Sequence, residues 1–391
     1  MNSFTYWSPT KVIFGAGTAG TAGNEVKEFG GAMALVIYGG GSVEKNGVLG
    51  TVTRSLSDAG IKYCSAGGVI PNPTAEFAQK IVDDYRGKGI DFLLGVGGGS
   101  VIDTAKAVAH GLASPDTQIW DYFNGTVQVS KTLPAGAVLT IAAAGSETSN
   151  SAVLTNQGAG LKRGLTTQFN RPKFAIMDPT LTYSLPPRQT ACGIVDIIMH
   201  TLERYMTSGT DNTLTDELAE ALMRVVIKYG AVAMEKPDDY KARSELMWAG
   251  SVSHNGLTGL GQPMDFAVHQ FGQQLSAKYD LPHGESLSAT WSSWARYVYK
   301  EDIARFAKYA RNVWGLGIND DETAAEEGIK TTERYFTSIG MPVTLTEAVG
   351  SLAADDIEYL VELCSYKYTR TIGAFKVLGV NDIREIYKSA M

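Results

Sequence analysis

Cysteine is nearly missing from this chain: three in 391 residues, Cys64, Cys192 and Cys364, far apart and forming no CxxC pair. That excludes a disulfide framework and a thiolate metal site, and it fits a reducing compartment, so a cytoplasmic location is expected. An excess of positive charge is missing too. Lys and Arg number 34 against 41 Asp and Glu, a net charge of −7. A basic face is therefore not expected, and nucleic acid is not an expected partner. No apolar run is long enough to cross a bilayer. The opening MNSFTYWSPTKVIFG lacks the basic-then-apolar pattern of a secretory leader, so neither a membrane partner nor export is expected. What is present, 44% hydrophobic and 19% charged residues, is ordinary for a globular enzyme. A length of 391 residues is long for one core, which predicts two domains.

Histidine is also scarce, five in all, and three of the five fall in two segments that read together as a divalent-metal site. Asp196 and His200 lie in CGIVDIIMH, four residues apart; on a helix that spacing stacks both side chains on one face. His269 and His283 lie in VHQFGQQLSAKYDLPHGES, fourteen positions apart, which suits a helix followed by a returning loop. Taken singly, each is as well explained as a core or surface residue. The group weighs more, because Asp196 sits among Ile194, Val195, Ile197 and Ile198, and a carboxylate on an apolar helix is costly to bury without a partner. One carboxylate and three imidazoles suit Zn²⁺ or Fe²⁺ better than Ca²⁺ or Mg²⁺. His110 and His254 match no ligand spacing and are expected to be structural or surface residues.

The chain changes character near residue 187. Before it, apolar strand-like runs (32–38, 61–65, 91–96, 137–142 and 174–177) alternate with helical stretches (44–59, 74–88 and 100–112), and 151–168 reads as a hairpin. Such alternation predicts a mostly parallel sheet covered on both faces. After SLPPRQT, with Pro187 placed to open a helix, the apolar spacing is helical almost throughout, as in 213–233 and 322–339. The expected organisation is an α/β domain over residues 1–187 and an all-α domain over 188–391.

Two glycine runs stand at strand ends. Gly97, Gly98, Gly99 and Ser100 lie between a buried strand and a helix. Glycines there let backbone N–H groups approach a ligand, and the helix N-terminus favours phosphate. The run is neither GxGxxG nor a P-loop, and about half of such turns are purely structural. Asp103 and Lys106 follow on the first turns of that helix, placed to turn toward its N-terminal end. Gly39, Gly40, Gly41 and Ser42 end the first predicted strand. Where NAD-preferring enzymes place an acid for the adenosine ribose, this chain has glycine. That leaves room for the 2′-phosphate of NADP(H), with Ser42 and Lys45 as partners, so NADP(H) is favoured over NAD(H); an ordinary flexible turn explains the run nearly as well.

On the segments YGGGSVEKNGV, GVGGGSVIDTAKAVA, LTIAAAGSETS, FAIMDPTLTYSLPPRQTACGIVDIIMHTLERY and MDFAVHQFGQQLSAKYDLPHGESLSA, spanning residues 38 to about 290, the chain resembles the iron-containing (type III) alcohol dehydrogenases, in the branch of butanol dehydrogenases and NADPH-dependent aldehyde reductases. The resemblance implies an N-terminal dinucleotide-binding α/β domain plus an all-α C-terminal domain, like dehydroquinate synthase, with metal and nicotinamide meeting in a cleft between them. It places Asp196, His200, His269 and His283 on the family's metal ligands. It places Gly97 to Ser100 and Asp103 on the pyrophosphate turn, and Thr140 and Ser146 in a nucleotide-side segment. Lys162 falls near a cofactor-reaching lysine of the hairpin. It implies a small alcohol or aldehyde as substrate, and a homodimer is expected on general grounds.

Two departures matter. Many members carry a histidine one turn after the third ligand, where this chain has Gln273, so a proton relay must run through water or another group. At Ala144 relatives often have threonine. A metal so held polarises an aldehyde while hydride passes to or from nicotinamide. Phe266, Phe271, Trp291 and Trp294 near the ligands favour an alkyl or aromatic substrate over a polyol; core packing is the commoner fate of Trp120, Tyr122 and Phe123. A glycerol or polyol dehydrogenase, a metal-dependent lyase or hydrolase, and a structural metal site remain as alternatives.

Overall fold

A computed structural model describes residues 1–209 and 212–391. They divide into two compact units: Trp7–Leu185 with Pro237–Ser251, and Met1–Tyr6 with Pro186–Lys236 and Val252–Met391. The first is α/β. Its strands are β1 (Lys11–Phe14), β2 (Met33–Gly39), β3 (Lys62–Val69), β4 (Phe92–Gly97), β5 (Ala135–Leu139), β6 (Ser151–Asn156), β7 (Leu161–Thr166) and β8 (Phe174–Met177). Its helices are α1 (Ala22–Glu28), α2 (Ser42–Lys45), α3 (Val48–Asp58), α4 (Ala75–Tyr85), α5 (Gly99–Ala113) and α6 (Ile119–Phe123). Six strands form one parallel sheet in the order β1-β8-β5-β4-β2-β3, and β6 and β7 pair as an antiparallel hairpin.

Alternation along the strands loads both faces of that sheet. Leu35, Ile37 and Leu93 pack with α4 and α5 residues such as Ile81, Val82 and Val108. Ala34, Val36, Phe92 and Leu94 pack with Val26, Val52 and Leu56 from α1 and α3. Burial on both faces is why these strands read as unbroken apolar runs. The chain runs from β2 outward to β3 and then returns to β4 on β2's other side. That reversal is the switch point where open α/β sheets bind ligands beyond their strand C-termini.

The second unit is helical among its described residues: α7 (Pro187–Tyr205), α8 (Thr213–Glu235), the last residues of α9 (Tyr240–His254, which up to Ser251 belongs to the α/β unit), α10 (Ala267–Tyr279), α11 (His283–Val298), α12 (Ile303–Asn312), α13 (Asp321–Ser338), α14 (Leu345–Val349), α15 (Ala354–Cys364) and α16 (Val380–Ser389). Helix α7 is buried from Thr190 to Tyr205 apart from Cys192, which is half-buried. The acidic stretch at 353–358 opens α15, with the Asp356 carboxylate accepting from the Ala353 N–H at 3.1 Å, as acids at a helix start should. Among the described residues no helix is long and apolar enough to cross a membrane.

Two of the expected elements differ in the structure. The helix expected over 44–59 is two helices, because Gly47 adopts a left-handed φ of 80° between them. The strand expected over 137–142 ends at Leu139, where the Thr140 N–H turns to the Gly97 carbonyl at 3.1 Å. Tyr122 and Phe123 are buried in the sheet core with Trp120 packed against it, the fate expected of them.

Candidate metal and nucleotide sites

Asp196 and His200 sit one turn apart on α7, and His269 lies in the first turns of α10. Pro187 opens α7 at a position where a missing N–H costs nothing. Helix α10 starts where Phe266 takes a left-handed φ of 54°. Asp265 makes that turn possible: Oδ1 accepts from the Ala267 N–H, and Oδ2 from the N–H groups of Ala374 and Phe375. Burial, with Glu203 nearby, pushes the Asp265 carboxyl up to about 6. His283 begins α11, and Gly284 brings it close: a Cβ there would lie 2.5 Å from the Cα of Cys192, so α7 and α11 touch backbone to backbone one turn before Asp196.

These elements bring ligand atoms of Asp196, His200 and His269 within 4.8 Å of one another. Asp196 Oδ1 lies 3.0 Å from His200 Nδ1, 3.8 Å from His269 Nε2 and 3.8 Å from His283 Nε2. His283 stands at the more open side, its side chain 29% exposed, while His200 and His269 are each 5% exposed as residues. Two buried atoms at the centre, Asp196 Oδ1 and His269 Nε2, have no hydrogen-bond partner. A carboxylate oxygen and an imidazole nitrogen left so at one point fit a divalent metal, which needs those lone pairs. Burial alone would raise the Asp196 carboxyl, but the three imidazoles hold it well below the usual carboxylate range.

Glu203, which sequence reasoning missed, completes the support. It is fully buried one further turn along α7. His269 Nδ1 donates to Glu203 Oε2, and the N–H groups of Val268 and His269 donate to Oε1 at 2.7 and 3.2 Å. That bond keeps the His269 proton on Nδ1 and leaves the Nε2 lone pair toward Asp196. The signal was available: Asp196, His200 and Glu203 fall on one face of a buried helix.

His254 was expected to be structural or at the surface. Its ring centroid lies 4.2 Å from that of His200, and Arg204 Nη2 meets its Nδ1 at 3.0 Å. His110 is buried between Thr132 and Asn170, remote in kind from any ligand set. The aromatic expectation holds for Phe266, whose ring lies 5.2 Å from His269. It fails for the others. Phe271 packs on Tyr387, Trp291 on Phe336, and Trp294 on Phe306 and Phe375, because α11 is buried along most of its length. Gln273 is half-buried on α10.

In the α/β unit the nucleotide candidates share one sheet edge. Strands β2, β4 and β5 are parallel neighbours, so Gly39–Ser42, Gly97–Ser100 and Thr140 follow adjacent C-termini at the switch point. Gly41 has a φ of 98° and opens α2; Gly40 and Ser42 are exposed. No side chain caps α5 at Gly98, and a Cβ on Gly99 would meet only Ala144 Cβ, at 3.7 Å. Packing therefore does not require glycine at Gly99, and the uncapped N–H groups suit an anion.

Asp103 and Lys106 point elsewhere than the sequence suggested. Asp103 accepts from Ser146 Oγ at 2.5 Å and from the Val153 N–H at 2.9 Å. Lys106, 1% exposed, donates to the Ser146 and Ser151 carbonyls, each at 2.7 Å. Burial lowers its ammonium to about 8. A buried ammonium must spend its three donors, and the loop that carries Ser146 takes them. Lys162, on β7, donates to Asn72 Oδ1 at 2.8 Å.

Comparison with known proteins agrees with this geometry. Residues 9–179 match the iron-containing alcohol dehydrogenase family, and residues 190–391 match the C-terminal region of the Fe-containing alcohol dehydrogenase family. The chain is 38% identical to NADH-dependent butanol dehydrogenase A of Clostridium acetobutylicum, over 100% of both chains. It is 33% identical to the NADPH-dependent aldehyde reductase YqhD of Escherichia coli, again over 100% of both. The crystal structure of NADH-dependent butanol dehydrogenase A from Thermotoga maritima superposes with a TM-score of 0.96 at 37% identity, covering 100% of this chain and 99% of that one. The chain thus belongs to the iron-containing alcohol dehydrogenase family and is an NAD(P)-dependent alcohol or aldehyde oxidoreductase of the kind that uses a divalent metal.

Proposed function

We propose that the chain interconverts a small primary alcohol and its aldehyde, butanol and butanal or a close analogue, with Asp196, His200, His269 and His283 holding the metal. The reading rests above all on the two buried, partnerless atoms, Asp196 Oδ1 and His269 Nε2, at the centre of that cluster. The substrate class follows the names of the similar proteins, butanol dehydrogenase and aldehyde reductase. Phe266, partly exposed beside His269, offers an alkyl chain an apolar surface. When bound, the metal supplies Lewis acidity and the nicotinamide supplies or accepts hydride. The donor set suits Fe²⁺ and Zn²⁺ alike.

The nucleotide falls, in this reading, to Gly39, Gly40, Gly41, Ser42, Gly97, Gly98, Gly99, Ser100 and Thr140. Asp103 and Ser146 act through the loop they anchor, and Lys162 completes the set. Preference for NADP(H) is the finer part of the proposal. Glycine in place of an acid at the end of β2, with exposed Ser42 and Lys45, supports it. Glu44 opposes it, since its carboxylate would lie 3.5 Å from a Cβ at Gly41. A homodimer is part of the same reading, and a sedimentation mass of one chain would remove it.

The test strips the metal with a chelator, reloads Fe²⁺ or Zn²⁺, and follows butanal reduction with NADPH and with NADH. Activity should return with metal, and His269→Ala should lose metal and turnover together. Full activity in metal-free His269→Ala overturns the site. A kcat/KM no higher with NADPH than with NADH overturns the cofactor preference.

A further inference from the structure

We propose that His254 donates a hydrogen bond from Nε2 to the oxygen of the alcohol or aldehyde bound at the metal cluster. The inference rests on the function proposed above and adds a residue that the metal-ligand set does not contain.

Four of the chain's five histidines gather at one place. The His254 ring lies 4.2 Å from His200, His200 lies 4.3 Å from His269, and His269 lies 5.2 Å from His283, centroid to centroid. His254 stands edge-on to His200, at 72°. Like His283, it lies outside the three residues whose ligand atoms all fall within 4.8 Å of one another. Its Nδ1 is occupied instead by Arg204, whose Nη2 approaches at 3.0 Å.

That contact fixes the tautomer. A guanidinium has only donors, so His254 Nδ1 must present its lone pair, and the ring's single proton sits on Nε2. Arg204 cannot swing away easily. Its Nη1 donates to the His200 carbonyl at 2.6 Å, its Cζ lies 4.7 Å over the Phe266 ring, and its own carbonyl accepts from Gln262 Nε2 at 2.7 Å. The contact with Arg204 thus keeps the ring in this one orientation of donor and acceptor.

His254 retains partial exposure, whereas His200 and His269 are 5% exposed. In this proposal a small molecule held at the cluster meets that pre-oriented N–H donor, on a ring 4.2 Å from His200. As hydride reaches an aldehyde carbon, the carbonyl oxygen gains negative charge, and a fixed donor stabilises that charge more than it does the neutral carbonyl. No proton leaves His254 in this role.

The experiment compares His254→Leu and His254→Gln in the metal-loaded full chain, with His254→Phe as a second apolar variant should leucine disturb folding. Glutamine can place an amide N–H near the Nε2 position; leucine and phenylalanine cannot. Three quantities are read: bound Zn²⁺, the Kd of reduced nicotinamide cofactor, and binding of isobutyramide, an unreactive carbonyl analogue, to the enzyme–cofactor complex by cofactor fluorescence. Butanal kcat/KM is read alongside. The apolar variants should hold metal and cofactor as the wild type does, yet lose about 10²-fold in kcat/KM with weaker amide binding. Glutamine should restore most of both. Loss of metal in the apolar variants overturns the proposal by making His254 part of the metal site. Equal behaviour of leucine and glutamine, or wild-type amide binding in the apolar variants, overturns it by leaving only packing. Amide binding needs no turnover, so a wild type that fails to reduce butanal defeats the proposed function while the His254 contact is still measured.

Discussion

Replacing Glu203 by glutamine should weaken metal binding without unfolding the protein, and the size of the effect follows from three hydrogen bonds. The Glu203 carboxylate accepts from the Val268 and His269 N–H groups through one oxygen and from His269 Nδ1 through the other. Glutamine has the same shape but a single acceptor oxygen. If that oxygen keeps the two backbone donors, the amide NH₂ faces Nδ1. The imidazole must then move its proton to Nε2, the atom that points at Asp196. If the oxygen instead serves Nδ1, two backbone donors are left against the NH₂ in a fully buried place. Either way one charge-assisted bond is lost, about 1.5–3 kcal/mol. That is roughly 10- to 100-fold in affinity, the range found when a carboxylate behind a metal-bound histidine is removed. Chelator competition with Zn²⁺ or Co²⁺ measures it, and circular dichroism checks the fold. A variant that holds metal within about twofold of the wild type would refute the argument that Glu203 sets the His269 tautomer.

Three further outcomes are expected. Gly284→Ala would put a Cβ 2.5 Å from backbone atoms of Cys192, an overpacking that costs about 1–3 kcal/mol and separates His283 from Asp196; calorimetry should show a lower Tm, and metal titration a weaker site. Gly99→Ala meets only Ala144 Cβ, at 3.7 Å, so melting should be unchanged. Cofactor affinity should fall about tenfold if a backbone N–H there binds phosphate; unchanged cofactor binding would remove the turn from the site. His110 is buried and lowered to about 4 from an ordinary 6.5. Between those values the unfolded chain binds a proton that the folded chain refuses, so stability is intact above pH 6.5 and is lost as pH falls toward about 4, by on the order of 3 kcal/mol. Urea titrations of His110→Gln across that window should give a flatter pH dependence than the wild type.

The sequence made some of this legible and hid the rest, for identifiable reasons. Asp196 and His200 could be paired because a helix repeats every 3.6 residues and acids on apolar helices need partners. The approach of His269 and His283 could be anticipated from a helix with a returning loop. His254 could not, since no local period relates it to His200; only the path of the chain brings them together. Lys106 was misread because position on a helix does not fix a rotamer. At the N-terminal end of α5 it had a ligand to reach for in principle, but the Ser146 and Ser151 carbonyls stand closer. Trp291 and Trp294 were near the ligands in sequence and turned into the core in space. The parallel sheet was readable from its two-sided apolar strands, whereas the break at Gly47 lay in one left-handed glycine.

The short excursion Pro237–Ser251, which packs with the α/β unit, and the opening Met1–Tyr6, which packs with the helical one, have a consequence for how this protein can be taken apart. The chain passes from one unit to the other after Tyr6, Leu185, Lys236 and Ser251, so no single cut yields either unit whole. A fragment stopping near residue 187 would lack Met247, which closes the apolar cluster of Ile102, Ala137, Leu139, Ala175 and Met177, and should aggregate through that exposed patch. The same holds for genetic exchange. A one-crossover chimaera inherits a foreign α9 against a native sheet, and only paired crossovers bracketing 237–251 transplant a unit intact.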